Sequence, residues 1–325
     1  MARLNVLAIL LVVAVFSEVL LADKPDWVAF KKQHRKEFKS RAAEAKAKAK
    51  FDKNAARVDE HNKKFEKGEV QYKIAINQFA DQDPEEFHQH HHGLKPELDR
   101  NDSRRSASHE RYTRELPPAA FDYRSTNQTI AAAMSAIESQ VLIAGRSPVT
   151  LSVQQLLDCD IYDTGCEGGW PSTGFLWLKK HGGSKAESDY PYTSGCCDTA
   201  GPCGGANAPV VQQLSGYERL TMPAPDDAIK SFLVAHGPLA TIVSAKSWDP
   251  LYSTGYISCK PRQAADHSVL LVGYGADATG KQYWIIKNSW DVGWGDKGFG
   301  YVPVGQANNT DCGISQGFAT YPIII

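Results

Sequence analysis

The sequence predicts an α+β protein in which a helical leading part precedes a domain that mixes helices with strands. Three observations carry that expectation. Residues 25–68 are rich in Ala, Lys and Glu, with no Gly or Pro between Pro25 and Gly68. Trp27, Phe30, Phe38, Phe51, Val58 and Phe65 recur there at roughly helical spacing. From Leu116 onward Gly, aromatic residues and cysteines become frequent and charge becomes sparse, with an Ala-rich helix candidate at residues 130–143. The last hundred residues hold strand-like runs at 268–274 and 282–287, and the Asp-Ala-Thr-Gly sequence between them suits a hairpin turn.

Taken in chain order, residues 1–22 read as a signal peptide. Arg3 precedes an apolar run at 6–16, Glu18 interrupts it, and eleven apolar residues fall short of a bilayer core of about 30 Å. Sequons at Asn101, Asn127 and Asn308 fit passage through an oxidising compartment and are candidate glycosylation sites. No later segment is apolar enough to span a membrane. The whole chain carries 36 Lys and Arg against 37 Asp and Glu, which excludes a nucleic-acid binder held by bulk electrostatics. The balance is uneven along the chain. Residues 116–325 carry 13 basic and 18 acidic side chains, so a basic leading segment faces an acidic remainder and docking between them is expected.

After the leading helix, residues 72–76 suit a short strand, and Asp83-Pro84-Glu85-Glu86 suits a helix start. His88 and His90, His91 and His92 then stand in a polar stretch that reads as a solvated turn rather than a metal site, so no metal is expected. Residues 95–115, rich in Arg, Ser, Asp and Glu, read as a protease-accessible linker. Residues 152–157 and 174–181 suit shorter helices, the second ended by Gly182 and Gly183.

The chemistry gathers near the C-terminus. His267 opens the apolar run 268–274, and Asn288 follows the run Gln282–Lys287, ahead of Ser289-Trp290 and Gly293-Trp294-Gly295. A hairpin between these strands brings Asn288 beside His267. An amide there fixes one ring nitrogen and leaves the other to exchange protons with a thiol, while Trp290 and Trp294 shield the contact from water.

These motifs resemble the papain-like cysteine peptidases, in the style of the cathepsin L branch, over nearly the whole chain. Ala75-Ile76-Asn77-Gln78-Phe79-Ala80-Asp81 resembles the family's pro-region motif, and Phe51, Asn54, Val58 and Asn62 resemble part of its long pro-helix. Leu116-Pro117 and Asp122-Tyr123-Arg124 resemble the start of the mature enzyme, Gly165-Cys166-Glu167-Gly168-Gly169 its glycine segment, and Cys312-Gly313-Ile314 and Tyr321-Pro322 its end. The resemblance implies a papain-like two-lobed fold, a helical lobe plus a β-barrel-like lobe, preceded by a helical inhibitory pro-region. It divides the chain into a signal peptide (1–22), a pro-region (23–94), a linker (95–115) and a peptidase domain (116–325).

By the same resemblance His267 is the catalytic base and acid, and Asn288 is its orienting partner. Gly168 and Gly169 offer backbone to an extended peptide; Trp170, Pro171, Ala265 and Gly317 line the side-chain pocket, and Trp290 lies over the site. Disulfides are implied for Cys259 with Cys312, and for Cys159 with one of Cys196, Cys197 and Cys203. No cofactor is implied. The expected partners are polypeptide substrates or other papain-like peptidases and the chain's own pro-region, on a monomer that is secreted or lysosomal.

One family element is missing. The nucleophilic Cys of the family stands at the start of a long helix, where the helix dipole and an imidazolium favour the thiolate. Here Asp122-Tyr123-Arg124 runs straight into Ser125-Thr126-Asn127, and no cysteine precedes Cys159. Counting back from Glu138 puts Gln128 at the nucleophile's position, and family spacing implies that about a dozen residues, with the oxyanion Gln, are absent after Arg124. Ser125 and Ser135 do not align with the position. Cys166 matches a cysteine whose usual partner lies in the absent stretch, so the odd count of seven cysteines marks a loss rather than an active thiol. Three readings follow: a proteolytically inactive peptidase homologue; an active endopeptidase whose sequence has lost a segment through splicing or gene prediction; and a binding protein that inhibits peptidases through its pro-region.

Overall fold

A computed structural model describes residues 26–91, 106–107, 117–124, 132–194, 200–205, 207–260, 263–305 and 311–325. The expected signal peptide, the three sequons, Gln128, Cys196 and Cys197 lie outside these residues.

The leading helical stretch is two helices rather than one. α1 (Trp27–Gln33) is capped by Asp26, whose side chain accepts from Ala29 N at 2.7 Å, and α2 (Arg41–Glu66) is capped by Ser40, which accepts from Ala43 N at 3.1 Å. Between them Arg35 takes a positive φ of 48°. The break has a packing reason. A continuous helix would hold Phe30 and Phe51 about 30 Å apart, whereas the bend puts their rings 4.7 Å apart, with Trp27 against both. The periodicity of aromatic residues was helical in each half, so the sequence pattern alone did not reveal the turn.

β1 (Tyr72–Ile74) and α3 (Pro84–His91) complete the leading segment. Of the histidines expected in a solvated turn, His88, His90 and His91 sit instead on α3, and His92 lies outside the described residues. His91 stacks on Phe87 with centroids 4.0 Å apart, so the helix is held by aromatic packing that the polar stretch concealed. Among the described residues no cluster of three metal-ligating side chains occurs. The linker also carries structure: β2 (Ser106–Ala107) pairs in parallel with a strand of the following domain.

In that domain β3 (Phe121–Asp122) is followed by α4 (Ala132–Ile143), α5 (Val153–Cys159) and α6 (Pro171–Lys180). α4 is buried on nearly every side from Ala133 to Ser139, which its small side chains permit. α5 is capped by Ser152, and α6 begins with proline at its first turn, where a missing N–H costs nothing. A two-stranded ribbon, β4 (Ser184–Lys185) with β5 (Val210–Gln212), leads into β6 (Leu214–Leu220) and α7 (Asp226–His236). The remaining strands are β7 (Leu239–Val243), β8 (Tyr252–Gly255), β9 (His267–Ala276), β10 (Gln282–Lys287), β11 (Phe299–Pro303) and β12 (Ala319–Ile324).

The main sheet runs β11-β10-β9-β7-β12-β6-β2, with β3 beside β9. Its path ends at β11 and at β2, and among the described residues no pairing joins those ends, so the strand lobe is an open sheet and not a barrel. One core lies in the strand lobe, between α7, the sheet and the Trp248, Trp284, Trp290 and Trp294 indoles. A second lies between α4, α5, α6 and the sheet. The two lobes share β9, whose side chains alternate between the two cores. Cys159 pairs with Cys203, the choice that spacing left open, and Cys259 pairs with Cys312. Cys166 is unpaired.

The leading segment joins the domain by main chain. β1 and β8 form an antiparallel ribbon in which Tyr72 faces Gly255 and Ile74 faces Tyr252. A Cβ on Gly255 would lie 2.5 Å from Gln71 O, so glycine admits this close approach. The expected charge complementarity takes one concentrated form. Arg57 grips Asp249 through two bonds of 2.5 and 3.0 Å, whereas the other lysine ion pairs of α2 among the described residues stay within the leading segment.

Candidate active site

His267 is the first residue of β9 and pairs across the sheet with Val243 of β7. Asn288 follows the last residue of β10, where its N–H donates to Gly298 O at 2.9 Å. The β9–β10 register, shifted at Ile285 and Ile286, places the two side chains together: His267 Nε2 lies 2.8 Å from Asn288 Oδ1. An amide oxygen only accepts, so Nε2 carries hydrogen and proton exchange falls to Nδ1. Ser289 N donates to the same oxygen at 2.8 Å, which fixes the amide's orientation. Both side chains are buried, and Asn288 Nδ2 is enclosed without an acceptor.

Trp290 lies over the imidazole, centroids 5.1 Å apart, and Trp248 meets it edge-on at 6.2 Å. Trp294 packs on both indoles rather than on the histidine. This aromatic wall lowers the local dielectric, which strengthens the imidazole–amide bond.

The binding residues anticipated from sequence fall into two groups. Gly168, Gly169, Trp170 and Pro171 line a cavity of 190 Å³ together with Ala132 and Ser268. Gly168 has φ 105°, and a Cβ on Gly169 would stand 2.3 Å from the Asp163 carboxyl carbon, so this segment requires glycine twice. Trp170 then turns away to pack edge-on against Phe318 at 5.6 Å and against Ile242, and Ala265 joins that cluster. Gly317 lies beside Ile242, where a Cβ would approach Cγ1 to 2.8 Å. Ile242 and Phe318 were not singled out from the sequence; the available signal was their position beside Gly317 and in an all-buried strand.

On the opposite lobe, α4 brings Ala132 and Ala133 to the cavity. Ser135 is buried within α4, 3% exposed, and its carbonyl accepts from Ser139 Oγ at 2.7 Å. Glu138 accepts from Leu151 N at 2.8 Å, and burial pushes its carboxyl up to about 8, with Lys287 as the opposing charge. Burial likewise lowers Lys287.

The pro-region motif reaches this site directly. Asn77 Nδ2 donates to Pro250 O and Gln78 Nε2 to Trp290 O, each at 2.8 Å. Asn54 and Asn62 of α2 hold the motif's chain through Ala80 O and both backbone groups of Ile74. Phe87, which sequence reasoning passed over, stands perpendicular to Trp290 at 4.7 Å. Arg57 and Asp249 were missed as well; their separation of 192 residues hides the pairing from any local pattern.

Comparison with known proteins agrees with these features. Residues 129–323 match the papain family cysteine protease domain and residues 27–87 the cathepsin propeptide inhibitor domain. Digestive cysteine proteinase 3 of Homarus americanus is 30% identical over 94% of this chain and 96% of its own length. Cathepsin L1 of Drosophila melanogaster is 29% identical over 98% of this chain and 90% of its own. Among solved structures, digestive procathepsin L 3 from the Tenebrio molitor larval midgut superposes with a TM-score of 0.77 at 32% identity, covering 91% of this chain and 97% of that one. The peptidase match begins at residue 129, beyond Arg124 and Gln128.

Proposed function

Because the chain belongs to the papain family of cysteine proteases, we propose that, as written, it is a proenzyme-like homologue that binds polypeptide in its cleft without hydrolysing it. One observation carries this reading. The His267–Asn288 pair is complete, yet no cysteine precedes Cys159 to supply the thiolate that such a pair serves. Cys159, Cys203, Cys259 and Cys312 are consumed in disulfides, and Cys166 sits on the turn Gly165–Glu167. Without a nucleophile no acyl-enzyme forms, and the missing oxyanion donor removes roughly another hundredfold or more.

The reading divides the chain into leader 1–22, pro-region 23–94, linker 95–115 and peptidase-like domain 116–325. It assigns Gly168, Gly169, Trp170, Pro171, Ala265, Trp290 and Gly317 to polypeptide binding, and Asn101, Asn127 and Asn308 to glycosylation. An apolar leader and disulfides support a secretory or lysosomal route; no helix among the described residues is long and apolar enough to cross a membrane. The test is turnover of a fluorogenic peptide by acid-processed protein. We expect a rate no higher than that of His267→Ala, and hydrolysis that thiol alkylation abolishes overturns the proposal.

A second reading, an active endopeptidase whose transcript retains the segment after Arg124, is favoured by the intact imidazole–amide pair and its indole cover. Sequencing the transcript across residues 124–131 separates the two.

A further inference from the structure

A small apolar cluster joins the two lobes beside the imidazole and is separate from the core of either. Trp170 follows Gly169 and stands at the N-cap of α6, on the helical side. Ile242 and Phe318 come from the strand lobe, the first within β7 and the second directly before β12. The two rings meet edge-on at 5.6 Å. All three side chains are buried, with Trp170 7%, Ile242 6% and Phe318 4% exposed.

Strand register ties this cluster to the site. Val243 pairs with His267 and Ile242 with Ser268, so Ile242 is one step along β7 from the partner of the imidazole residue. Ser268 and Trp170 line the same cavity as Gly168 and Gly169. Ala265, two residues before His267, is partly buried and packs on the cluster. Phe318 is held through its main chain, since its carbonyl accepts from Thr241 Oγ1 and its neighbour Ala319 pairs with Thr241. Gly317 opens no room beside it, because a Cβ there would stand 2.8 Å from Ile242 Cγ1.

We infer that Phe318 and Ile242, closing on Trp170, fill the side-chain pocket and restrict the bound polypeptide to glycine or alanine at the position that faces them. The inference rests on the peptide-binding reading of the cleft and adds a substrate class to it. A polypeptide along Gly168 and Gly169, beside the imidazole, presents one side chain to this cluster. Packed interiors hold few voids, so leucine or phenylalanine there must force a ring out of its rotamer or shift the strand behind it. Glycine and alanine need no such movement.

The test is fluorescence polarisation of the full chain. The probes are labelled hexapeptides that carry glycine, alanine, leucine or phenylalanine at each position in turn. At one position glycine and alanine should bind at least about tenfold more tightly than leucine and phenylalanine, the scale of forcing bulk into a filled space. Phe318→Ala removes one ring and should bring the alanine preference over leucine at that position to one or below. The wild-type ratio needs no variant to fold, so it stands as the primary measurement. Leucine that binds as well as alanine at every position overturns the inference and leaves the peptide-binding reading intact. So does a Phe318→Ala protein that melts cooperatively and keeps the wild-type ratio. Absence of binding by any of the peptides overturns both.

Discussion

Phe87 of the leading segment stands perpendicular to Trp290 at a centroid distance of 4.7 Å, and Trp290 in turn covers His267. The leading segment therefore touches the site through the same indole that shelters the imidazole. Gln78 secures this contact from the other side by donating to Trp290 O, and Gly293 leaves the space, since a Cβ there would stand 2.0 Å from Gln78 Oε1.

Phe87→Ala should release this clasp. Phe87 is fully buried, and truncating a buried Phe costs about 3–5 kcal/mol. Thermal unfolding should shift downward, and limited proteolysis should cut within residues 84–91 sooner than in the parent chain. An unchanged melting temperature would contradict the packing described.

Stability should fall as pH rises from about 5 to about 8. Glu138 has its carboxyl raised by burial from 4.5 to about 8, so across that window the folded state holds a proton that the unfolded state has lost. The contribution is complete below the unfolded value and lost by the folded one. Glu138→Gln keeps an acceptor for Leu151 N and should flatten the profile. Melting curves of both proteins at pH 5 and pH 8 check this, the parent losing more.

Gln128→Cys should install a thiol without restoring an enzyme. On the inactive reading the oxyanion donor is missing too, so turnover should stay at least about a hundredfold below that of a complete relative. Fluorogenic-peptide kinetics, with iodoacetamide labelling in the presence and absence of His267→Ala, would read both rate and thiolate character.

Isolated residues 23–115 should inhibit a cathepsin L-like peptidase. The contacts that hold the segment here are main-chain pairing through Tyr72–Ile74, Asn77 on a carbonyl, and Arg57 on a carboxylate. A titration showing no inhibition would confine the segment to its own chain.

Much of this was legible in the residues. The strand at 282–287 and the meeting of His267 with Asn288 follow from apolar runs joined by a turn signal, because a hairpin is a local object. The two-helix start was not legible: Trp27, Phe30 and Phe51 satisfy helical spacing whether or not the chain folds back. Nor was the open sheet, since strand order depends on partners far apart in sequence, such as β12 between β6 and β7.

The imidazole and its amide are both held by one hairpin, oriented by Ser289 N and roofed by Trp290. This half of the family's catalytic apparatus is thus built by one local unit of the chain. A chain can discard the helix-borne half and keep this one in working order, because the bonds that preserve it also hold the sheet together. A hairpin so held is ready to serve a thiol wherever a chain supplies one, which is what the second reading requires.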